Sequence, residues 1–145
     1  MLVVAFLAGA VTWSLLEYLV HYQQHPTKAD TPHYRHHLDP KWHAPWRAKV
    51  AVGVSLGVLA TAPTLAILAD RLNSLSFFLG FIAAFALYEV IHFRIHHREA
   101  WARRWTPNLY AHHMAHHGKP GGNFGTSTLV WDRLFRTRLV RPSRP

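Results

Sequence analysis

Three long apolar segments alternate with polar, histidine-rich segments along this chain of 145 residues. They cover residues 2–20, 50–69 and 75–91; the second has no charged residue and the third has only Glu89. A transmembrane α-helix needs about 20 consecutive apolar residues, with a range of roughly 17 to 25. A chain this short could not cover three helices that are apolar on every side. The pattern therefore predicts an all-α integral membrane protein with about three transmembrane helices.

The length limits the chain to one domain at most. We expect a single membrane-embedded domain over residues 1–140 and a disordered basic tail over residues 141–145. The first apolar segment is expected to be a retained span and not a signal peptide. No basic residue precedes it, and its apolar run continues to Glu17, Tyr18 and His21 without a small-residue cleavage site.

The basic residues follow the topology of a membrane protein. The formal net charge is +9, yet of the sixteen Lys and Arg residues only Arg71 lies in the turn 70–74. The others lie in segment 26–49 or after residue 91. Positive residues collect on the cytoplasmic side, so both histidine-rich regions are expected on the cytoplasmic face. Because topology accounts for the charge, no nucleic-acid partner is expected.

Ten of the thirteen histidines form one pattern that occurs twice, HxxxH followed by HxxHH. On a helix, residues three and four apart share a face, so each cluster can aim its rings at one point. A purification tag would be uninterrupted, and scattered surface histidines would not repeat this order. Imidazole suits Fe, Zn, Cu and Ni, and the chain has no cysteine to redirect the choice. The pattern predicts two metal ions with about five ligands each: His21, His25, His33, His36, His37, His92, His96, His113, His116 and His117.

A glutamate precedes the first histidine of each half by about one helical turn, Glu17 in the first and Glu89 in the second. Ionisable residues within a span are costly and usually functional. Each could accept the free ring N–H of a ligating histidine and so fix its tautomer. The alternative is a hydrogen bond to a neighbouring helix at the membrane interface, and the sequence leaves both open.

Two adjacent metal ions with open positions suit the activation of O2, and no serine or cysteine lies in an activating context. Two other classes compete with an oxidative enzyme. A metal transporter or storage protein would need a polar path, but segment 50–69 offers only Ser55, Thr61 and Thr64. A haem-binding electron carrier would usually pair its histidines within the bilayer.

The motifs in order are Glu17-Tyr18-x-x-His21-x-x-x-His25, His33-Tyr34-Arg35-His36-His37, Tyr88-Glu89-x-x-His92-x-x-x-His96-His97 and His113-Met114-Ala115-His116-His117. After them come Asn123-Phe124-Gly125-Thr126-Ser127 and Trp131-Asp132-Arg133-Leu134-Phe135-Arg136-Thr137. Over residues 13–137 this order resembles the fatty acid hydroxylase superfamily of integral-membrane di-iron enzymes. That superfamily includes fatty acid 2-hydroxylases, sterol desaturases, sterol C4-methyl oxidases and carotenoid hydroxylases.

The resemblance implies a membrane-bound di-iron oxygenase that hydroxylates a lipid acyl chain, with O2 as co-substrate. The ten histidines would hold two Fe ions, although zinc could replace iron on purification. Sterol or carotenoid oxidation, or desaturation, remains open. The chain has no cytochrome b5-like domain, so electrons are expected from a separate donor, either a cytochrome b5-like protein or a ferredoxin with its reductase. The superfamily usually has about four spans, whereas this chain shows three.

Three further histidines fall outside the ten. His97 follows a cluster but breaks its spacing, and His43 is expected at the membrane interface without a metal. His112 lies four residues before His116 and could replace His113. The HxxHH spacing favours His113.

Overall fold

A computed structural model of the protein describes residues 1–25, 31–68 and 70–139. Within these ranges the chain is helical and has no strand, which confirms the all-α prediction. The predicted tail, residues 141–145, lies outside the described residues. The helices are α1 (Leu2–Gln24), α2 (Pro32–Leu38), α3 (Trp46–Leu68), α4 (Arg71–His97), α5 (Glu99–Trp105), α6 (Pro107–Gly118) and α7 (Val130–Leu134).

Among the described residues, α1 and α4 are long and apolar enough to cross a membrane, by length and composition. They contain the predicted segments 2–20 and 75–91. The remaining predicted segment, 50–69, coincides with α3, except that residue 69 is not among the residues that the structure describes. The count of three spans is not confirmed and stays a prediction.

The chain divides into two compact units. The first, called here the helical unit, contains Met1–Leu16 and His43–Val90. The second, the histidine unit, contains Glu17–Trp42 and Ile91–Pro145. Helices α1 and α4 contribute residues to both units, so each apolar helix continues along the chain into a segment that bears histidines.

Aromatic side chains form the core of the helical unit. Trp13 of α1 is buried against Phe81 and Phe85 of α4, with ring centroids 5.3 and 4.9 Å apart in edge-to-face arrangements. Such geometry is favourable beyond the apolar area that it buries. Gly9 and Gly80 let the two backbones meet, because a Cβ at either position would collide with a carbonyl of the other helix.

Two short helices, α2 and α6, carry six of the histidines of the predicted clusters. Thr31 caps α2 through its hydroxyl, which accepts a hydrogen bond from Tyr34 N at 3.1 Å, and Pro32 begins the helix without an N–H to satisfy. Thr106 separates α5 from α6, and Pro107 opens α6. Buried Ile91, Ile95 and Ala102 form a small apolar core beside these helices.

Candidate metal centre

The ten predicted histidines come from four elements of the histidine unit. His21 lies in the last turn of α1, and His25 follows immediately after the helix. Helix α2 carries three more, α4 carries two near its C-terminal end, and α6 carries three. The positions on α2, α4 and α6 are His33, His36, His37, His92, His96, His113, His116 and His117.

Five of these histidines form one group whose candidate ligand nitrogens all lie within 4.8 Å of one another. The Nε2 atoms of His25 and His33 are 2.9 Å apart, and those of His37 and His116 are 3.1 Å apart. We call this the five-histidine group; its members are His21, His25, His33, His37 and His116.

Four others form a second group by the same criterion, the four-histidine group. The Nε2 atom of His36 lies 3.0 Å from that of His92 and 3.1 Å from that of His96. His96 Nε2 is in turn 2.8 Å from His113 Nε2, which completes the group of His36, His92, His96 and His113.

Each group mixes the two halves of the sequence repeat. The five-histidine group contains His116 from the second half, and the four-histidine group contains His36 from the first. Both are the middle histidine of an HxxHH cluster. Because α2 and α6 each serve both groups, neither half could build a complete group by itself.

His117 belongs to neither group as defined by distance, but it lies beside both. Its Nε2 is 3.1 Å from His113 Nε2, and its ring centroid is 4.4 Å from that of His37 and 4.7 Å from that of His96. The repeat makes His117 the counterpart of His37, which belongs to the five-histidine group.

The remaining histidines lie elsewhere. His112 is buried, with Nε2 3.0 Å from an Asp132 carboxylate oxygen, so the structure places His113 and not His112 in the cluster. His97 stacks on Phe93 with ring centroids 4.4 Å apart. His43 is exposed.

Backbone carbonyls orient three of the clustered rings. Nδ1 of His21 lies at the carbonyl of Phe124, Nδ1 of His116 is 2.7 Å from the carbonyl of Gly122, and Nδ1 of His36 is 3.1 Å from the carbonyl of Trp42. A carbonyl can only accept, so each Nδ1 carries the proton and each Nε2 keeps its lone pair. These lone pairs belong to the nitrogens that converge in the two groups.

One buried nitrogen shows that the cluster fits a metal. Nε2 of His21 is buried and has no hydrogen-bond partner within the described residues. A buried polar atom without a partner costs free energy, and ligation would satisfy it. All-imidazole donor sets of this kind suit Fe and Zn.

Burial favours the neutral form of the clustered imidazoles on α2 and α6. Together with neighbouring histidines, it lowers the pKa of His33 to about 2, of His37 to about 3 and of His117 to about 2. Burial is also the largest cause that lowers the pKa of His116 to about 4. Burial also holds the pKa of His113 well below its usual value. Neutral imidazole is the form that binds metals.

The two glutamates have partners other than the expected ring N–H. Glu17 is buried and accepts hydrogen bonds from Thr126 N at 2.6 Å, from Ser127 N at 3.2 Å and from the Ser127 hydroxyl. Glu89 accepts a hydrogen bond from Lys49 Nζ at 2.7 Å and forms an ion pair with it inside the helical unit. Glu89 thus matches the alternative of a bond to a neighbouring helix, because Lys49 belongs to α3.

Sequence reasoning missed Asp132, which is fully buried. Burial raises the pKa of this carboxyl, but hydrogen bonds from His112, Thr137 and the amides of Gly125 and Phe124 outweigh that effect and lower it. The signal was available, since Asp132 is the only acidic residue after Glu99 in a strongly basic segment.

A sequence model of the fatty acid hydroxylase family matches residues 6–137. The chain therefore belongs to this family, as its motifs had indicated. Among curated relatives, the fatty acid 2-hydroxylase of Macaca fascicularis is 28% identical, and the match covers 97% of this chain and 40% of that protein. The Homo sapiens enzyme gives the same three values, and the Rattus norvegicus enzyme is 26% identical over 97% and 41%. The chain thus spans about two fifths of these relatives, and no solved structure matches it significantly.

Proposed function

We propose that the protein is a membrane-bound di-iron oxygenase that hydroxylates a C–H bond of a lipid acyl chain. O2 is the co-substrate, and a separate donor supplies electrons. The observation that carries the proposal is the convergence of nine imidazoles into two neighbouring groups within a chain of this family.

Each group would hold one ion. The five-histidine group offers five ligands, and the four-histidine group would reach the same number with His117. The position of His117 beside His113 and its equivalence to His37 in the repeat support this assignment. Bound iron would supply the redox chemistry of O2 activation, for which side chains have no equivalent.

The protein's own residues would orient and protect the reacting centre. Carbonyls of Gly122, Phe124 and Trp42 fix the ring orientation of three ligands. His113 and His116 are almost completely buried, which limits access of water. Ligands held in fixed orientations would keep the reacting groups in the geometry that the reaction needs.

A lipid substrate fits the position of the candidate ligands at the ends of apolar helices. Helices α1 and α4 each carry a long apolar stretch that runs along the sequence to a clustered histidine, His21 or His92. An acyl chain in the bilayer could approach along such helices. The positive-inside rule predicts that the histidines lie on the cytoplasmic face, within reach of a separate donor, either a cytochrome b5-like protein or a ferredoxin with its reductase.

The family and the names of the relatives favour a fatty acyl chain. Sterol or carotenoid oxidation, and desaturation, remain alternatives within the same chemistry. Mass spectrometry of lipid products separates them, because hydroxylation adds an oxygen atom whereas desaturation removes two hydrogens.

The first experiment is elemental analysis of the full chain, purified in detergent from iron-supplemented cells. We expect about two metal ions per chain and an oxidised lipid product when a reductase system is added. His36→Ala and His116→Ala should abolish the product, and His43→Ala, at an exposed histidine, is the matched control. Full activity in either ligand variant, or folded wild-type protein that takes up no iron under anaerobic reconstitution, would contradict the proposal.

A further inference from the structure

Four consecutive backbone amides are held by two buried carboxylates. Phe124 N and Gly125 N donate to Asp132 at 2.8 and 2.7 Å. Thr126 N and Ser127 N donate to Glu17 Oε1 at 2.6 and 3.2 Å. The carboxylates come from opposite ends of the histidine unit's sequence, and together they satisfy every amide of segment 124–127.

Asp132 uses both of its oxygens fully. Oδ1 accepts hydrogen bonds from Phe124 N and from the Thr137 hydroxyl at 2.7 Å. Oδ2 accepts from Gly125 N and lies 3.0 Å from Nε2 of His112. Gly125 is required at this place, because a Cβ there would lie 3.0 Å from Oδ2 and would collide with the carbonyl of Thr128.

The segment held in this way faces the five-histidine group. Its Phe124 carbonyl meets Nδ1 of His21, and the carbonyl of Gly122, two residues before the segment, meets Nδ1 of His116; both histidines belong to that group. In the four-histidine group, the carbonyl that meets His36 belongs to Trp42, which lies outside the segment. The peptide unit between Phe124 and Gly125 links Asp132 to His21, because its N–H donates to Asp132 and its carbonyl meets Nδ1 of His21. The link to His116 is less direct: the peptide N–H that follows the Gly122 carbonyl donates to the carbonyl of Thr137, whose hydroxyl donates to Asp132. Glu17 fixes the next two amides of the segment.

We infer that Asp132 and Glu17 are positioning residues that hold segment 124–127 in place, so that the carbonyl of Phe124 and the adjoining carbonyl of Gly122 orient His21 and His116 for metal binding at the five-histidine group. This inference rests on the proposed metal centre. Hydrogen bonds to the outer nitrogens of ligands typically change metal affinity by roughly 10- to 100-fold. A purely structural anchor for the C-terminal segment would weaken both groups together.

The test is Asp132→Asn, a change of similar shape that puts an NH2 group against amide donors. Metal binding is titrated with Co(II) into the metal-free full chain, followed by its visible absorption. We expect two ions in the wild type and in the control Glu99→Gln, whose carboxylate is exposed. In Asp132→Asn the affinity for one ion should fall roughly 10- to 100-fold and that for the other should stay unchanged.

Two backgrounds identify which ion is affected. In His92→Ala, which removes a member of the four-histidine group, Asp132→Asn should still weaken the remaining ion. In His21→Ala, it should change the remaining ion little. Equal weakening of both ions, or of neither, would overturn the inference while leaving the proposed function intact. A wild type that binds no Co(II) would overturn both.

Glu17 provides a second comparison should Asp132→Asn fail to fold. Glu17→Gln keeps an oxygen that can accept from Thr126 N and Ser127 N, and its amide can donate to the Ser127 hydroxyl. Glu17→Ala removes all of these bonds. We expect the alanine variant to weaken the same single ion by at least about tenfold more than the glutamine variant. Equal affinities in the two variants, with unchanged helical circular dichroism, would contradict the positioning role.

Discussion

Asn123 illustrates how much one residue contributes to the segment beside the cluster. Its φ of 61° is in the left-handed region, and its side chain is buried. Nδ2 donates to the carbonyl of His112 at 3.1 Å, and Oδ1 accepts from Leu139 N at 2.8 Å. Asparagine tolerates this backbone conformation better than most residues. The same side chain also forms the two hydrogen bonds that join the segment to His112 and Leu139.

We therefore expect Asn123→Ala to lower the free energy of unfolding by about 2–4 kcal/mol, through lost hydrogen bonds and left-handed strain. Asn123→Gly loses the same bonds but not the strain, so it should be about 1 kcal/mol more stable than the alanine variant. Thermal unfolding in detergent measures both. An alanine variant as stable as the glycine variant would show that backbone strain is unimportant here.

The clustered histidines also make the metal-free protein sensitive to acid. The folded-state pKa values of His33, His37 and His117 are about 2, about 3 and about 2, below the usual 6.5 of an unfolded chain. The unfolded chain therefore binds more protons between these values. The contribution of these histidines to the free energy of unfolding is therefore fully present above about pH 6.5 and is lost as the pH decreases towards about 3.

Melting temperatures of the metal-free protein should accordingly decrease from about pH 7 to about pH 5. His117→Gln should make the melting temperature depend less steeply on pH, because it removes one imidazole that stays neutral in the folded protein. A melting temperature that rose on acidification would contradict the buried, neutral state of the cluster.

At the scale of elements, glycines determine how closely α1 and α4 pack. Added Cβ atoms at Gly9 and Gly80 would collide with the carbonyls of Phe77 and Phe6, respectively. Small residues at such contacts are typical of packed membrane helices, where backbones approach without a hydrophobic driving force. Gly57 of α3 differs, because the atoms nearest to a Cβ there are side-chain atoms of Phe78, Phe81 and Ile82, at 3.0 Å or more.

Gly80→Ala should therefore destabilise the protein by about 1–3 kcal/mol through overpacking, although alanine favours the helix by about 1 kcal/mol. Gly57→Ala is the matched control, since flexible side chains can yield and the helix propensity gain partly offsets the contact. Fluorescence-detected size exclusion after heating ranks the variants. Equal melting temperatures would contradict a backbone contact at Gly80.

At the scale of the whole molecule, the charge distribution predicts the orientation in the membrane. Because the chain has no cysteine, single cysteines can be introduced without background labelling. In sealed inside-out vesicles, a membrane-impermeant maleimide should label Lys119→Cys and not Leu72→Cys; right-side-out vesicles should give the reverse. Labelling of both positions from one side would contradict the proposed cytoplasmic location of the histidines.

Local sequence patterns were sufficient for the all-α fold and for the two apolar helices α1 and α4, and they singled out the histidines that the structure brings together. Runs of apolar residues predicted α1 and α4, and the spacing of three and four residues predicted histidines on common helical faces. These are properties of neighbouring residues, and the 3.6-residue period of the helix carries them directly. The motif order likewise indicated the family that the comparison confirms.

Only the tertiary structure decided how the histidines are divided and what supports them. His36 groups with histidines of the second half of the repeat, and His116 groups with those of the first half. His112 lies against Asp132 while His113 belongs to the cluster. Glu17 accepts a hydrogen bond from the amide of Thr126, more than a hundred residues along the chain. Each of these choices depends on contacts between distant segments. Helical periodicity states which side chains share a face, whereas the packing of α1, α2, α4 and α6 decides which faces meet.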